Sequence, residues 1–166
     1  KVYITISEDE NNWKKMSKKK ILVLGATGQD GSTICKYLIN KKFKVFGLVR
    51  KSATGNLKNL KKIIDSPNFE ILHGDLLDLI SIEKIIRRIK PQEIYNFADQ
   101  DHVRWSFEVP SYSFDVTGAS VVKLLEIIRN HSPKSKFFQP LSSNIFGGSK
   151  RNKPVSYTHL RAHETR

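Results

Sequence analysis

Three glycines carry the first chemistry. In Gly25-Ala-Thr-Gly28-Gln-Asp-Gly31 they stand directly after the apolar run Ile21 to Leu24 and directly before a stretch with helical periodicity. A strand that runs into glycines and then a helix lets the backbone turn tightly. It lets a pyrophosphate approach peptide N–H groups and sets the phosphate charge at a helix N-terminus. The strand before and the helix after separate a dinucleotide loop from three glycines in a plain turn. The next position with chemical content is Arg50, immediately after the apolar run Val45 to Val49, with Lys51 and Ser52 behind it. An acid there would bind the ribose 2′-hydroxyl of NAD, whereas an arginine accommodates a 2′-phosphate. The residue type therefore favours NADP, against the alternative of a solvated basic turn. Asp75, in His73-Gly74-Asp75-Leu76, is placed to meet the adenine edge or, more simply, to cap a helix.

These residues need elements to hold them. Ile21 to Leu24 reads as a strand buried on both faces, and Ile34, Leu38 and Ile39 as a helix that runs to Lys41. Val45 to Val49 is a second strand, followed by a helix through Leu57, Leu60, Ile63 and Ile64 and a third strand at Phe69 to Leu72. A helix through Ile82, Ile85, Ile86 and Ile89 is stopped by Pro91. Glu93 to Phe97 is a fourth strand, and Tyr112 to Asn130 a long helix with Val116, Val121, Leu124, Leu125 and Ile128 on one side. Lys136 to Leu141 is a fifth strand. Strands that alternate with helices imply right-handed crossovers and an α/β fold with a doubly wound parallel sheet.

Composition narrows the partners. The 166 residues suit one domain, and 39% apolar with 27% charged residues is a globular balance. No run approaches the ~18–20 apolar residues that cross a bilayer, so no membrane role is expected. The single Cys35 permits neither an internal disulfide nor a multi-cysteine metal site, which makes a reducing cytoplasm the expected compartment and Cys35 an ordinary buried thiol. His73 and His102 have no second ligand at zinc spacing, so no metal is expected, although His102 could approach a substrate. The net charge of +13 raises nucleic-acid binding, which would show as steep salt-dependent retention on DNA. Its lysines (Lys41, Lys42, Lys58, Lys61, Lys62, Lys84, Lys90) are dispersed over helix faces and turns without interleaved aromatics, so no nucleic-acid partner is expected. Trp105 and Phe107 read as packing residues.

Both ends look foreign to the fold. Met16 precedes Ser17, Lys18, Lys19 and Lys20, so residues 1–15 read as upstream sequence or a disordered leader, without the apolar core of a signal peptide. Val155-Ser-Tyr-Thr-His-Leu-Arg-Ala-His-Glu-Thr165 resembles the conceptual translation of a transposase adapter used in sequencing libraries. On that resemblance residues 155–166 are non-native, and residues 16–154 form an incomplete NADP-binding domain. Tyr157 with Arg161 four residues on imitates a Tyr-x-x-x-Lys pair and is treated as a decoy, since arginine does not substitute simply for lysine.

The order of motifs resembles a known family. Gly25 to Gly31, Leu48-Val-Arg-Lys-Ser52, Gly74-Asp-Leu-Leu-Asp78, Glu93-Ile-Tyr-Asn-Phe-Ala98, Gln100-Asp-His-Val103, Ser106-Phe107 and Asp115-Val116 fall as in the extended short-chain dehydrogenase/reductases, and within them the GDP-mannose 4,6-dehydratases. The resemblance implies a Rossmann-like NADP-binding fold, cut before the substrate-binding part. It implies a lyase that converts GDP-mannose to GDP-4-dehydro-6-deoxy-mannose and works as a homodimer or homotetramer when full-length. Cofactor binding is carried over to Gly25, Thr27, Gly28, Gln29, Asp30, Gly31, Arg50, Asp75, Leu76, Phe97 and Ala98. The nucleotide sugar is carried over to Gln100, His102, Ser143 and Asn144. Ser142, in Leu141-Ser-Ser-Asn-Ile-Phe-Gly147, takes the place of the catalytic Ser/Thr that binds the sugar C4 hydroxyl, or else satisfies local backbone.

The chain departs from the pattern in three ways. Asn144 stands where dehydratases carry a Glu that acts in the elimination, and a carboxamide cannot take a proton from C5. Asp99 and Asp101 flank Gln100 where the family has small or hydroxyl residues, adding negative charge near the expected nicotinamide and sugar. The Tyr-x-x-x-Lys segment is absent, so this chain is expected to be inactive by itself. An epimerase, reductase or decarboxylase of the same superfamily, and a non-catalytic dinucleotide-binding module, stay open.

Overall fold

The computed structural model describes residues 19–52 and 55–141. The strands are β1 (Lys20–Leu24), β2 (Lys44–Val49), β3 (Phe69–His73), β4 (Glu93–Asn96) and β5 (Lys136–Phe138). The helices are α1 (Gln29–Asn40), α2 (Leu79–Ile89), α3 (Val103–Glu108), α4 (Pro110–Phe114) and α5 (Ser120–His131). All strand pairs are parallel, in the order β3-β2-β1-β4-β5. The order reverses between β1 and β4, which makes the space beyond their C-terminal ends the topological switch point.

The sheet has two dressed faces. Alternate residues Leu22, Leu24, Phe46, Leu48, Leu72 and Ile94 pack under α2 and α5 through Ile82, Ile86, Ile89, Leu124 and Ile128. On the opposite face Ile21, Val23, Val45 and Phe69 pack under Cys35 and Leu38 of α1 and under Leu60 and Ile63. Continuous apolar runs in β1 and β2 follow from this, because both sides of each strand are covered. Tyr95, Phe97 and Phe138 form an aromatic group on the second face, with Tyr95 and Phe97 stacked at 6.5 Å and Phe97 and Phe138 tilted at 5.9 Å. Asp78 caps α2 by accepting a hydrogen bond from Ser81 N at 3.2 Å, and Lys90 at φ 48° closes it before Pro91.

Four expectations are corrected. Residues Leu57 to Ile64 do not make an α-helix: a short 3-10 helix, Lys58–Leu60, passes into turns. Asn59 Nδ2 bonds Thr27 O at 2.9 Å, so a side chain ties this segment to the glycine loop while Leu60 and Ile63 are buried. The long helix is α4, a π-helical turn at Asp115–Ala119 and α5, and α3 precedes it. Its buried stripe is Val116, Ser120, Leu124 and Ile128 at steps of four, so Leu125 falls off the stripe and is 45% exposed. β5 ends at Phe138 because Pro140 offers no N–H to a ladder, and Leu141 is exposed. Trp105 and Phe107 are not packing residues: α3 buries none of its six residues, and they are 52% and 82% exposed.

Candidate functional site

A cleft of about 530 Å³ opens at the switch point. Gly25, Thr27 and Gly28 of the loop after β1 form its floor, and Leu48 and Arg50 at the end of β2 form one wall. Gly74 to Leu76 extend that wall after β3. Phe97 to His102, after β4, form the opposite wall with Trp105, Tyr112 and Val116 from the crossover helices.

The three glycines do different jobs. Gly25 adopts φ +73°, and a Cβ there would meet Phe97 O at 2.5 Å, so the loop lies directly against the end of β4. A Cβ on Gly31 would meet Gly25 O at 2.2 Å, so this residue lets α1 close onto the loop. Gly28 is the open one: a Cβ would stand 3.3 Å from Gly25 O, and the residue is exposed and lines the cleft. It is also the N-cap of α1, where no side chain caps the first turn. An uncapped helix N-terminus at the floor of a cleft is an anion site in waiting. The loop is braced from the side, since Asn56 and Asn59 donate to Thr27 Oγ1 and Thr27 O at 3.4 and 2.9 Å.

Arg50 bridges the cleft. Its Nη1 donates to the Tyr112 hydroxyl at 2.9 Å, across 62 residues of sequence, and no carboxylate pairs with it among the described residues. Asp75 Oδ1 accepts from Leu77 N at 3.0 Å, so it shapes its own turn, while the helix cap is Asp78.

The opposite wall is a tied loop. Gln100 Nε2 donates to Ser113 Oγ at 2.9 Å, and Gln100 Oε1 accepts from His102 N at 2.8 Å. Asp99 Oδ1 accepts from Gln100 N and from Thr117 Oγ1, which the π-helical turn presents. Beneath it Asn96, 1% exposed, donates to Gln139 Oε1 at 2.7 Å and accepts from Ala98 N at 3.2 Å. The reactive-looking groups outside the cleft are quiet. Burial pushes the Cys35 thiol up to about 12, and burial with the neighbouring Glu93 carboxylate raises the Tyr95 hydroxyl well above its usual range.

Of the residues read from sequence, Gly25, Thr27, Gly28, Arg50, Asp75, Leu76, Phe97 and Ala98 come together around the cleft with Gln100 and His102. Gln29 and Asp30 lie on the exposed first turn of α1, and Gly31 is buried behind the loop. Asp99 and Asp101 line the cleft. Ser142, Ser143 and Asn144 lie outside the described residues, as do Met16 and both terminal stretches. Sequence reasoning missed Tyr112, Asn56 and Trp105, which also line it. The sequence does hold one cue for Asn56: an Asn three residues before another, just after the basic turn, suits side-chain bonding better than a helix interior.

The chain matches the model of the family described as GDP-mannose 4,6 dehydratase over residues 22–163, a stretch that extends past Pro154. It is 38% identical over 142 residues to GDP-mannose 4,6 dehydratase 1 of Arabidopsis thaliana, covering 80% of this chain and 39% of that protein. It is 36% identical over 139 residues to GDP-mannose 4,6-dehydratase of Vibrio cholerae, covering 80% and 37%. The chain thus spans about two fifths of the length of these relatives. Among solved structures, dTDP-glucose 4,6-dehydratase from Bacillus anthracis in complex with NAD aligns at TM-score 0.68 and 26% identity, over 83% of this chain and 42% of that one.

Proposed function

Because the chain belongs to the GDP-mannose 4,6-dehydratase family, we propose that it is the dinucleotide-holding part of a sugar-nucleotide 4,6-dehydratase, a lyase with NADP as cofactor and GDP-mannose as substrate. The observation that carries the reading is the cleft itself: an uncapped helix N-terminus and an arginine with no carboxylate partner among the described residues line one space at the switch point. The residues fit a dinucleotide. Gly28 leaves open the floor that a side chain would fill, and Arg50 supplies a cation at the end of β2.

In this reading the loop from Gly25 to Gly31 binds the pyrophosphate, with Thr27, Gln29 and Asp30 at its edge. Arg50 neutralises the ribose 2′-phosphate, Asp75 and Leu76 border the adenine, and Phe97 and Ala98 support the other half. When bound, the nicotinamide supplies a reversible hydride acceptor. Gln100, His102, Ser143 and Asn144 bind the nucleotide sugar in this reading, and the Ser142 hydroxyl holds the sugar C4 hydroxyl. Residues 16–154 are the dinucleotide-binding unit in this reading, and residues 155–166 are foreign to it. The working protein is placed in the cytoplasm as a homodimer or homotetramer, and this chain alone is inactive. Asn144 favours a second reading, a superfamily relative without the elimination step or a non-catalytic binding module, since a carboxamide takes no proton from C5.

Trp105 in the cleft reports on the test. Titration of the chain with NADP+ and NAD+ is expected to quench its fluorescence, with NADP+ at least tenfold tighter. Equal affinities would remove the NADP assignment, and no binding of either would remove the site. Turnover of GDP-mannose by this chain would contradict its proposed inactivity. A protein extended to the relatives' length that binds NADP+ without dehydrating GDP-mannose would favour the second reading.

A further inference from the structure

We propose that Tyr112 is a positioning residue that sets the preference for a 2′-phosphorylated dinucleotide by holding Arg50 in place. The inference rests on the NADP reading above. Arg50 follows β2 on one side of the switch point, whereas Tyr112 belongs to α4 in the crossover between β4 and β5 on the other. The hydrogen bond from Arg50 Nη1 to the Tyr112 hydroxyl at 2.9 Å is thus a tie between the two walls of the cleft.

An exposed arginine on a loop carries large rotamer freedom, and ordering it on binding weakens affinity by roughly a factor of 2–10. Tyr112 removes that freedom before the ligand arrives. Its hydroxyl is neutral, so it fixes the guanidinium without cancelling the charge, as a carboxylate partner would. A guanidinium has five N–H donors, and one bond to a hydroxyl leaves the others for a phosphate, the stronger acceptor. Tyr112 itself is anchored by its helix, where Ser113 next to it is buried and bonded to Gln100. The tie therefore links the charge reader on one wall to the tied loop on the other.

Two half-ligands isolate the effect: 2′,5′-ADP carries the 2′-phosphate and 5′-AMP does not. Their dissociation constants are measured for the chain, Tyr112→Phe, Arg50→Ala and the double variant, with circular dichroism confirming that each is folded. Tyr112→Phe keeps the ring and removes only the hydroxyl. It is expected to weaken 2′,5′-ADP three- to tenfold, to leave 5′-AMP within twofold, and to have no effect on either ligand once Arg50 is alanine. Equal weakening of both ligands, a full effect in the absence of Arg50, unchanged binding, or tighter 2′,5′-ADP would each overturn the positioning role. If Arg50→Ala leaves both ligands unaffected, the NADP reading falls and this inference with it.

Discussion

Replacing Gly31 and Gly28 by alanine one at a time separates what holds the loop together from what receives the ligand. In Gly31→Ala the new methyl would sit 2.2 Å from Gly25 O and 2.9 Å from Gly25 C, both backbone atoms. The obstacle cannot step aside, because Gly25 already lies so close to β4 that its own Cβ position is 2.5 Å from Phe97 O. Either α1 or the loop must shift by about an ångström, and overpacking of this kind destabilises by ~3 kcal/mol. For a chain of this size that lowers Tm by roughly 10 °C. In Gly28→Ala the methyl meets only Gly25 O at 3.3 Å, and φ −67° with ψ 172° suits alanine. Its effect on stability is under ~1 kcal/mol, the usual scale for changing an N-cap. The methyl instead occupies the floor of the cleft, so dinucleotide affinity is expected to fall at least tenfold, or ~1.4 kcal/mol. Thermal melts and Trp105 fluorescence titrations on both variants check this. Two melts displaced equally, or full-strength dinucleotide binding by Gly28→Ala, would refute the division of labour.

Other outcomes follow from the same geometry. Asn96→Ala orphans the side-chain Oε1 of Gln139 and Ala98 N beneath the cleft, and urea denaturation is expected to show a loss of ~2 kcal/mol. Ile86→Ala, at a fully buried position between the sheet and α2, should cost ~2–5 kcal/mol by the same assay. The Cys35 thiol is raised from 9.0 to about 12, so in that interval the unfolded chain has lost a proton that the folded chain keeps. Stability must then fall as pH rises above ~9, by at most ~1.4 kcal/mol per pH unit. The raised Tyr95 hydroxyl acts in the same direction at higher pH. Between pH 8 and 10 the Tm of the wild type should therefore fall more steeply with pH than that of Cys35→Ala, whatever the offset between the two at pH 8.

The strands and the glycine loop were legible because their signals are local. β1 and β2 are unbroken apolar runs, and loop, Arg50 and Asp75 each sit a fixed step beyond a strand end. The segment from Leu57 to Ile64 was not, since apolar residues at three- and four-residue steps suit one turn of 3-10 helix followed by turns as well as an α-helix. Only the bonds of Asn56 and Asn59 to Thr27, 29 and 32 residues away, decide between them. Tyr112 was hidden for the same reason: its partner is 62 residues off, and its place in the helical pattern marks it as one more partly apolar residue. The π-helical turn was not legible either, since Val116 within it continues the four-residue spacing of Ser120, Leu124 and Ile128.

The unequal dressing of the sheet sets an order in which it comes apart. At β1 both faces are covered, by α1 on one side and by α2 and α5 on the other, and Ile21 to Leu24 are fully buried, whereas Tyr95 of β4, Phe97 just beyond it and Phe138 of β5 are only partly buried. Amide hydrogens of Ile21 to Leu24 should accordingly exchange with solvent only through global unfolding, and those of Lys136 to Phe138 through cheaper local openings. The cleft lies across that gradient, with Gly25 and Arg50 on the slowly exchanging side and Gln100 and His102 on the fast one. A ligand that spans it would slow exchange chiefly in β4 and β5, so that protection acquired there, rather than at the glycines, becomes the footprint of occupancy.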